Sequence, residues 1–300
     1  MHKIGIDLGG TKIEGAILNH QNEIIFRKRI STEQEKGYTH ILNRIKVLYN
    51  EMSSQINHSP HTLGLGTPGT ISHRTGLLKN SNTLCLNQKP ILHDLEILLK
   101  RSLQIENDAN CFTIAEALHG AGQNKKLIFG VIIGTGCGGG IVYKGEILRG
   151  LQSIAGEWGH SSIDPDGPLC YCGQKGCIET FISGSGLEKI HCKKLGYSIS
   201  VQEMIQQYRT NDPNVVPIIK DFFYHFGRSL ANLINILDPD IIVLGGGLSN
   251  IPELYTEGIA EVQKMVFSDS LETPIVQHHL GDSAGVIGAA LIGNQNDGMS

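Results

Sequence analysis

Three hundred residues, with 25 Lys and Arg against 29 Asp and Glu for a formal net charge of −4, are enough for two ordinary domains and include no long basic run. That balance argues against nucleic acid and anionic membrane as partners, and no segment is apolar for long enough to span a bilayer. Asp7 interrupts the stretch a signal peptide would need, and seven cysteines, an odd number, fit a reducing compartment better than a disulfide framework, so a cytoplasmic protein is expected.

In chain order, IGIDLGGTKIEGAILNH (4–20) reads as an apolar strand, a Gly-rich turn and a returning strand. Tyr38, Ile41, Leu42, Ile45, Leu48, Tyr49 and Met52 fall on one stripe of 3.6-residue period, which predicts an amphipathic helix over 38–56. A short strand over 61–66 enters the Pro68-Gly69 turn, and a polar turn region follows at 72–90. Helix is predicted at 92–99, strand at 103–105, and helix again from near Asp108 to just before Gly120. FGVIIGTGCGGGIVYKG (129–145) then aligns without a gap to 4–20 at an offset of 125 residues. A repeat at that spacing is too long for a solenoid and suits two related domains facing one another across a cleft. Helices at 185–196, 200–209 and 217–237, a strand at 241–244, a helix at 251–266 and a last one opening at 286–291 complete an α/β alternation.

The stretch 156–179, GEWGHSSIDPDGPLCYCGQKGCIE, gathers His160, Cys170, Cys172 and Cys177, with the cysteines in C-x-C-x4-C spacing. These are the four soft or borderline ligands that tetrahedral zinc prefers, and four protein ligands leave no position for a reactive water. The expected zinc is therefore structural, a clip on the loop that carries Glu157 and Glu179. Cys111 and Cys137 lie in apolar or Gly-rich contexts and read as packing residues.

Three Gly-rich turns complete the inventory. Gly5 and Gly10 have P-loop separation, but the order after them is Thr11-Lys12 and a strand follows, so the Walker reading fails. Gly134-Thr135-Gly136-Cys137-Gly138-Gly139 matches G-x-G-x-x-G, again before a strand rather than the helix a dinucleotide fold requires. Gly245-Gly246-Gly247 follows an apolar strand and precedes a predicted helix with Ser249 or Asn250 as cap. Together the turns suit polyphosphate, since glycine lets backbone N–H groups approach its oxygens and Thr11 and Thr135 add donors. Asp7, an acid beside them, makes sense as holding hydrated magnesium.

DLGGTK, ENDANC, IIGTGCGGG, GEWGH, CYCGQKGCIE and LGGGLS, in this order, resemble the ROK family of sugar kinases and repressors, and the resemblance covers nearly the whole chain. It implies a two-lobed actin-like ATPase (ribonuclease H-like) fold with duplicated βββαβα-type domains and a zinc-clipped loop. The N-terminal lobe would span 1–107, with a C-terminal helix at about 285–295 packing back on it, and the C-terminal lobe 108–284. It also implies transfer of the γ-phosphoryl group of ATP, with magnesium, to a hexose hydroxyl, with Asp108 as catalytic base. At a helix entry the dipole favours an ionised Asp108, although the same residue would serve as a simple N-cap.

Sugar contacts implied by the resemblance are Gly69, Asn82, Asn107, Asp108, Glu157, His160 and Glu179. The nucleotide contacts are Gly9, Gly10, Thr11 and Lys12 with Asp7 on one lobe, and Gly134, Thr135, Gly136, Gly246 and Gly247 on the other. GTPGTISHRTGLLKNSNT, CYCGQKGCIETFISGSG and GDSAGVIGAA most resemble bacterial fructokinases, which makes fructose the expected hexose and N-acetylglucosamine or N-acetylmannosamine the alternative. Repressors of the family carry a DNA-reading segment ahead of DLGGTK, which here begins at residue 7, so a catalytic protein is expected rather than a sugar-responsive regulator. A homodimer is the implied assembly.

Overall fold

The computed structural model describes residues 1–293, which form two compact units. The first comprises 1–119, 145–155 and the described residues from 280 on; the second comprises 120–144 and 156–279.

In the first unit, β1 (His2–Leu8), β2 (Lys12–Leu18) and β3 (Ile24–Ser31) form an antiparallel meander. After α1 (Tyr38–Gln55) come β4 (His61–Thr67), the small hairpin β5 (Thr70–Ile71) and β6 (Leu78–Lys79), α2 (Ile91–Leu99), β7 (Gln104–Asn107) and α3 (Asp108–His119). The sheet order is β3-β2-β1-β4-β7, with β4 parallel to β1 and β7 parallel to β4. Alternation along β1 buries Ile4, Ile6 and Leu8 in one core with the Ile41, Ile45 and Leu48 stripe of α1. Gly5 points to the opposite face, where the last helix lies so close that a Cβ on Gly5 would fall 2.3 Å from the Val286 carbonyl oxygen, an approach only glycine permits.

The second unit opens on the antiparallel pair β8 (Leu127–Ile133) and β9 (Cys137–Tyr143). The chain returns to the first unit over 145–155, which holds β10 (Glu146–Ile147). Then follow the cysteine loop, α4 (Glu179–Ile182), α5 (Gly184–Leu195), α6 (Val201–Arg209), α7 (Val216–Leu237), β11 (Ile241–Gly245), α8 (Glu257–Met265) and β12 (Ile275–Gln277). Within this unit the strands run β9-β8-β11-β12, with β11 parallel to β8 and β12 parallel to β11. The helix α9 (Ala284–Ile292) belongs to the first unit.

The internal repeat holds to the residue: β1 and β2 occupy 2–8 and 12–18, β8 and β9 occupy 127–133 and 137–143. In both units the first hairpin strand then takes a later strand in parallel, β4 against β1 and β11 against β8.

Several elements differ from expectation. The boundary drawn at 107/108 falls after His119, because α3 packs on α9 and the buried Glu116 accepts a hydrogen bond from the Leu280 amide at 2.8 Å. The segment 145–155 also sits in the first unit, where Lys79 Nζ donates to the Gln152 carbonyl at 3.0 Å. The helix expected over 251–266 divides into a 3-10 turn, Pro252–Tyr255, and α8. The final helix matches its expected start, while residues 294 and 295 of the expected span lie outside the described residues. No helix among the described residues is long and apolar enough to cross a membrane.

Candidate functional site

In the first unit Asp7 ends β1 on the α9 face, its carboxyl filling space left by two glycines: a Cβ on Gly285 or Gly66 would lie 2.9 or 3.3 Å from its oxygens. Burial first, then the charges of Asp108 and Glu14, push Asp7 up to about 7 against the opposing pull of Lys12 and Arg29. Glu14 is buried and held by Arg27 and Arg29. The following turn is tied down by its own backbone, with the Gly9 amide donating to the Lys12 carbonyl at 2.9 Å and Thr32 Oγ1 donating to the Gly9 carbonyl at 2.7 Å. Gly10 stays partly exposed, and Thr11 and Lys12 fully so.

The junction of β7 and α3 carries Asn107 and Asp108. Asn107 is the helix cap: its Oδ1 accepts from the Ala109 amide at 2.9 Å and the Asn110 amide at 3.4 Å, the N2 and N3 amides that a regular N-cap satisfies. Its Nδ2 donates to the Gly69 carbonyl at 3.3 Å, which brings two of the expected sugar residues together. Asp108 sits at the first helical position, half-buried, with Oδ1 accepting from the Ala109 amide at 2.9 Å. Behind both lies Glu106, which sequence reasoning missed; it accepts from the Asn107 amide and Asn110 Nδ2, each at 3.0 Å, and from Arg149 Nε at 2.6 Å.

In the second unit the Gly-rich turn after β8 and the turn after β11 lie side by side, since a Cβ on Gly134 would reach within 3.9 Å of the Gly247 amide nitrogen. The start of α5 braces the first of them: the Gly184 amide donates to the Gly134 carbonyl at 2.7 Å and Ser185 Oγ to the Thr135 carbonyl at 2.7 Å. Beside Gly247 opens a cavity of about 330 Å³ walled by α6, including Val201, Ile205 and Arg209, and by Leu248 and Ile251. No sequence signal marked α6 as a wall. Ser249 and Asn250 do not cap a helix, because a 3-10 turn follows and Ser249 Oγ donates to the Gly246 carbonyl.

The loop bearing Glu157 lies across β9, and glycines make that possible. Gly156 has φ +94°, and a Cβ there would sit 2.6 Å from the Gly139 carbonyl oxygen. Trp158 anchors the crossing with Nε1 donating to the Gly138 carbonyl at 3.0 Å and its ring edge-on to Phe129. The Gly-rich run 136–139 thus accommodates the loop.

His160, Cys170, Cys172 and Cys177 converge as expected, with their ligand atoms all within 4.8 Å of one another. Cys172 and Cys177 Sγ are 3.6 Å apart, and Cys170 Sγ lies 3.6 Å from His160 Nδ1. A tetrahedral zinc with Zn–S bonds of about 2.3 Å has S···S edges of about 3.8 Å, so these two separations and the chemistry of the donor set suit this ion. His160 Nε2 pairs with Tyr171 Oη at 3.0 Å, so the ring edge expected to meet a sugar is shared with a residue the sequence did not single out. Glu179 links cluster to turn, Oε2 accepting from the Cys137 amide at 3.0 Å and Oε1 lying 4.0 Å from Cys170 Sγ.

Asn82 is exposed on a loop whose shape is set by Asn87, which accepts from the Ser81 amide at 2.9 Å and donates back to the Ser81 carbonyl at 2.8 Å. The segment 76–87 overlaps the first of the three stretches on which the fructose reading rested, and in it Leu78 and Leu86 are fully buried in the core while Leu84 is exposed.

Two copies of a mixed sheet, each opening on a Gly-turn hairpin and crossing back in parallel, define the actin-like ATPase class of α/β folds. The ROK family model matches residues 3–296, and the chain belongs to that family. An N-acetyl-D-glucosamine kinase from Pasteurella multocida (strain Pm70) is 36% identical over 302 residues, covering 97% of this chain and 98% of the relative. A ROK hexokinase from Thermus thermophilus superposes with a TM-score of 0.87 at 31% identity, covering 97% of each chain. A ROK glucokinase from Streptomyces griseus, solved with glucose and AMPPNP, gives 0.80 at 26% identity over 99% of this chain and 100% of the other.

Proposed function

We propose that this chain transfers the γ-phosphoryl group of ATP to a hydroxyl of N-acetylglucosamine. The amino sugar replaces the expected fructose for two reasons: the curated relative matched over almost its whole length is an N-acetylglucosamine kinase, and the first of the stretches that suggested fructose is partly occupied in core packing and in its own shape.

The observation that carries the chemistry is the division of labour at the start of α3. With Asn107 as cap, Asp108 is spared that duty and serves as general base, accepting the proton of the attacking sugar hydroxyl while that oxygen bonds to the γ-phosphorus and ADP leaves. Asn107, Gly69 and Asn82 in the first unit, and Glu157, His160 and Glu179 in the second, direct hydrogen bonds to the sugar hydroxyls. Gly9, Gly10, Thr11 and Lys12, and separately Gly134, Thr135, Gly136, Gly246 and Gly247, take the phosphates. The cavity beside Gly247 suits the nucleoside. Asp7 would hold magnesium, which would supply charge neutralisation on the phosphates, and a positive ion there would favour the ionised carboxylate that burial disfavours. Zinc on His160, Cys170, Cys172 and Cys177 holds the loop from Glu157 to Glu179 in shape.

The test is coupled ADP release across N-acetylglucosamine, N-acetylmannosamine, glucose, mannose and fructose. N-acetylglucosamine is expected to lead fructose in kcat/KM by roughly tenfold or more, the scale of discrimination a pocket achieves on one substituent. A lead for fructose overturns the substrate and keeps the kinase; no ADP release with any sugar overturns both.

A further inference from the structure

We infer that Glu106 and Arg149 form a positioning pair that fixes the aim of the proposed base Asp108, an inference that rests on Asp108 having that role. Glu106 is only 5% exposed, and the bonds of its Oε1 go to the β7–α3 junction. Oε1 takes the Asn107 amide and the side-chain amide of Asn110, both at 3.0 Å, and Oε2 takes Arg149 Nε at 2.6 Å. The carboxylate therefore grips the backbone one residue before Asp108 and the side chain two residues after it. Asn107, gripped in this way, in turn caps α3 and reaches Gly69.

Arg149 is the cation that pairs with this carboxylate, and it comes from the 145–155 segment, 43 residues along the chain. A buried carboxylate stripped of its cation is strongly disfavoured; it must take up a proton or turn toward water. Either response loosens two of the bonds that hold Asn107 and Asn110. The first helical turn then drifts, and Asp108 with it. Misalignment of a base by a fraction of an ångström lowers the rate of the chemical step while leaving most substrate contacts in place. Glu106 bears on Asp108 through Asn107 and Asn110, so it acts through the junction.

The experiment compares Arg149→Met, Arg149→Lys, Glu106→Gln and the double variant Glu106→Gln/Arg149→Met in the ADP-release assay, with thermal melts of each and with Asp108→Asn alongside. Arg149→Met is expected to lower kcat by about tenfold or more with KM for the sugar changed less than about threefold. Arg149→Lys should recover part of that loss, since it restores the charge without the planar fork. The double variant should turn over faster than Arg149→Met alone, because it removes the unpaired charge along with its partner. Wild-type kcat in a folded Arg149→Met protein overturns the inference, as does a lowered melting temperature with kcat unchanged. If Arg149→Met does not fold, wild-type kcat in both Arg149→Lys and Glu106→Gln overturns it equally. A fully active Asp108→Asn would instead overturn the base assignment itself, so the two failures are distinguishable.

Discussion

Asn107 and Asp108 are neighbours of nearly equal size and polarity, and their different duties come from one step in backbone geometry. The cap position precedes the first helical residue, and there Asn107 meets the amides of Ala109 and Asn110. From the sequence either residue could cap, so the polar cluster at a helix start was legible and the assignment within it was not. The same limit hid Glu106, Arg149 and Tyr171, whose partners lie far along the chain or depend on which way a ring turns. The consequence for Asp108 is direct. Asp108→Asn keeps shape and the bond to the Ala109 amide but cannot accept a proton, so kcat should fall by about 10²–10⁴ while sugar affinity, measured by calorimetry, stays within a few-fold. Turnover close to wild type would return Asp108 to a structural role.

Elements were legible where burial writes a period into the sequence. The stripe of α1 and the apolar runs of β1, β4, β8 and β11 all face packed cores. β3 buries no residue at all, and its charges answer to Glu14 and Glu51 on other elements, so nothing in its own pattern announced a strand. β5 and β6, two residues each, fall below any period. His61, the first residue of β4, gives these packed elements a pH dependence. Its Nδ1 donates to the Ser59 carbonyl at 2.6 Å, and Nε2 meets Arg101 and Tyr49 Oη. Burial first, and then Arg101, lower its pKa against the upward pull of Ser59. The folded state thus resists a proton that the unfolded chain accepts near pH 6.5, so stability is full above that pH and is lost as pH falls below it. His119 and His225 are lowered by burial in the same sense. Asp7, raised to about 7, works in the opposite sense, because the folded state takes up its proton over this range, so the test is a difference: between pH 7 and 5.5 the melting temperature of His61→Gln should fall less, or rise more, than that of the wild type. An unchanged slope would place the acid sensitivity elsewhere.

At the scale of the whole molecule the duplication is the strongest statement the sequence makes, because a strand–turn–strand repeat constrains both sheets at once and its offset survives in the strand bounds themselves. What escaped it is the return of 145–155 to the first unit; a last helix packing back on the N-terminal lobe was already expected. Each unit has its own buried side chains, Ile4, Ile45 and Leu65 in one, Phe129, Phe222 and Val243 in the other, so each can lose order on its own terms. The four proposed zinc ligands all lie in the second unit, and metal-binding energy there is folding energy for the loop that Glu179 ties to β9 through the Cys137 amide. Purified protein should contain one zinc per chain by elemental analysis. Chelation, or Cys172→Ser, should then speed amide hydrogen exchange in α4, β8 and β9 while β1, β4 and α9 keep their protection, and sugar affinity should fall more than nucleotide affinity. Absence of zinc from carefully purified protein would remove the clip. Exchange that rises equally in both units would show instead that the cluster stabilises the chain as one cooperative body, and would tie the loop's order to the first unit's core as firmly as to the second's.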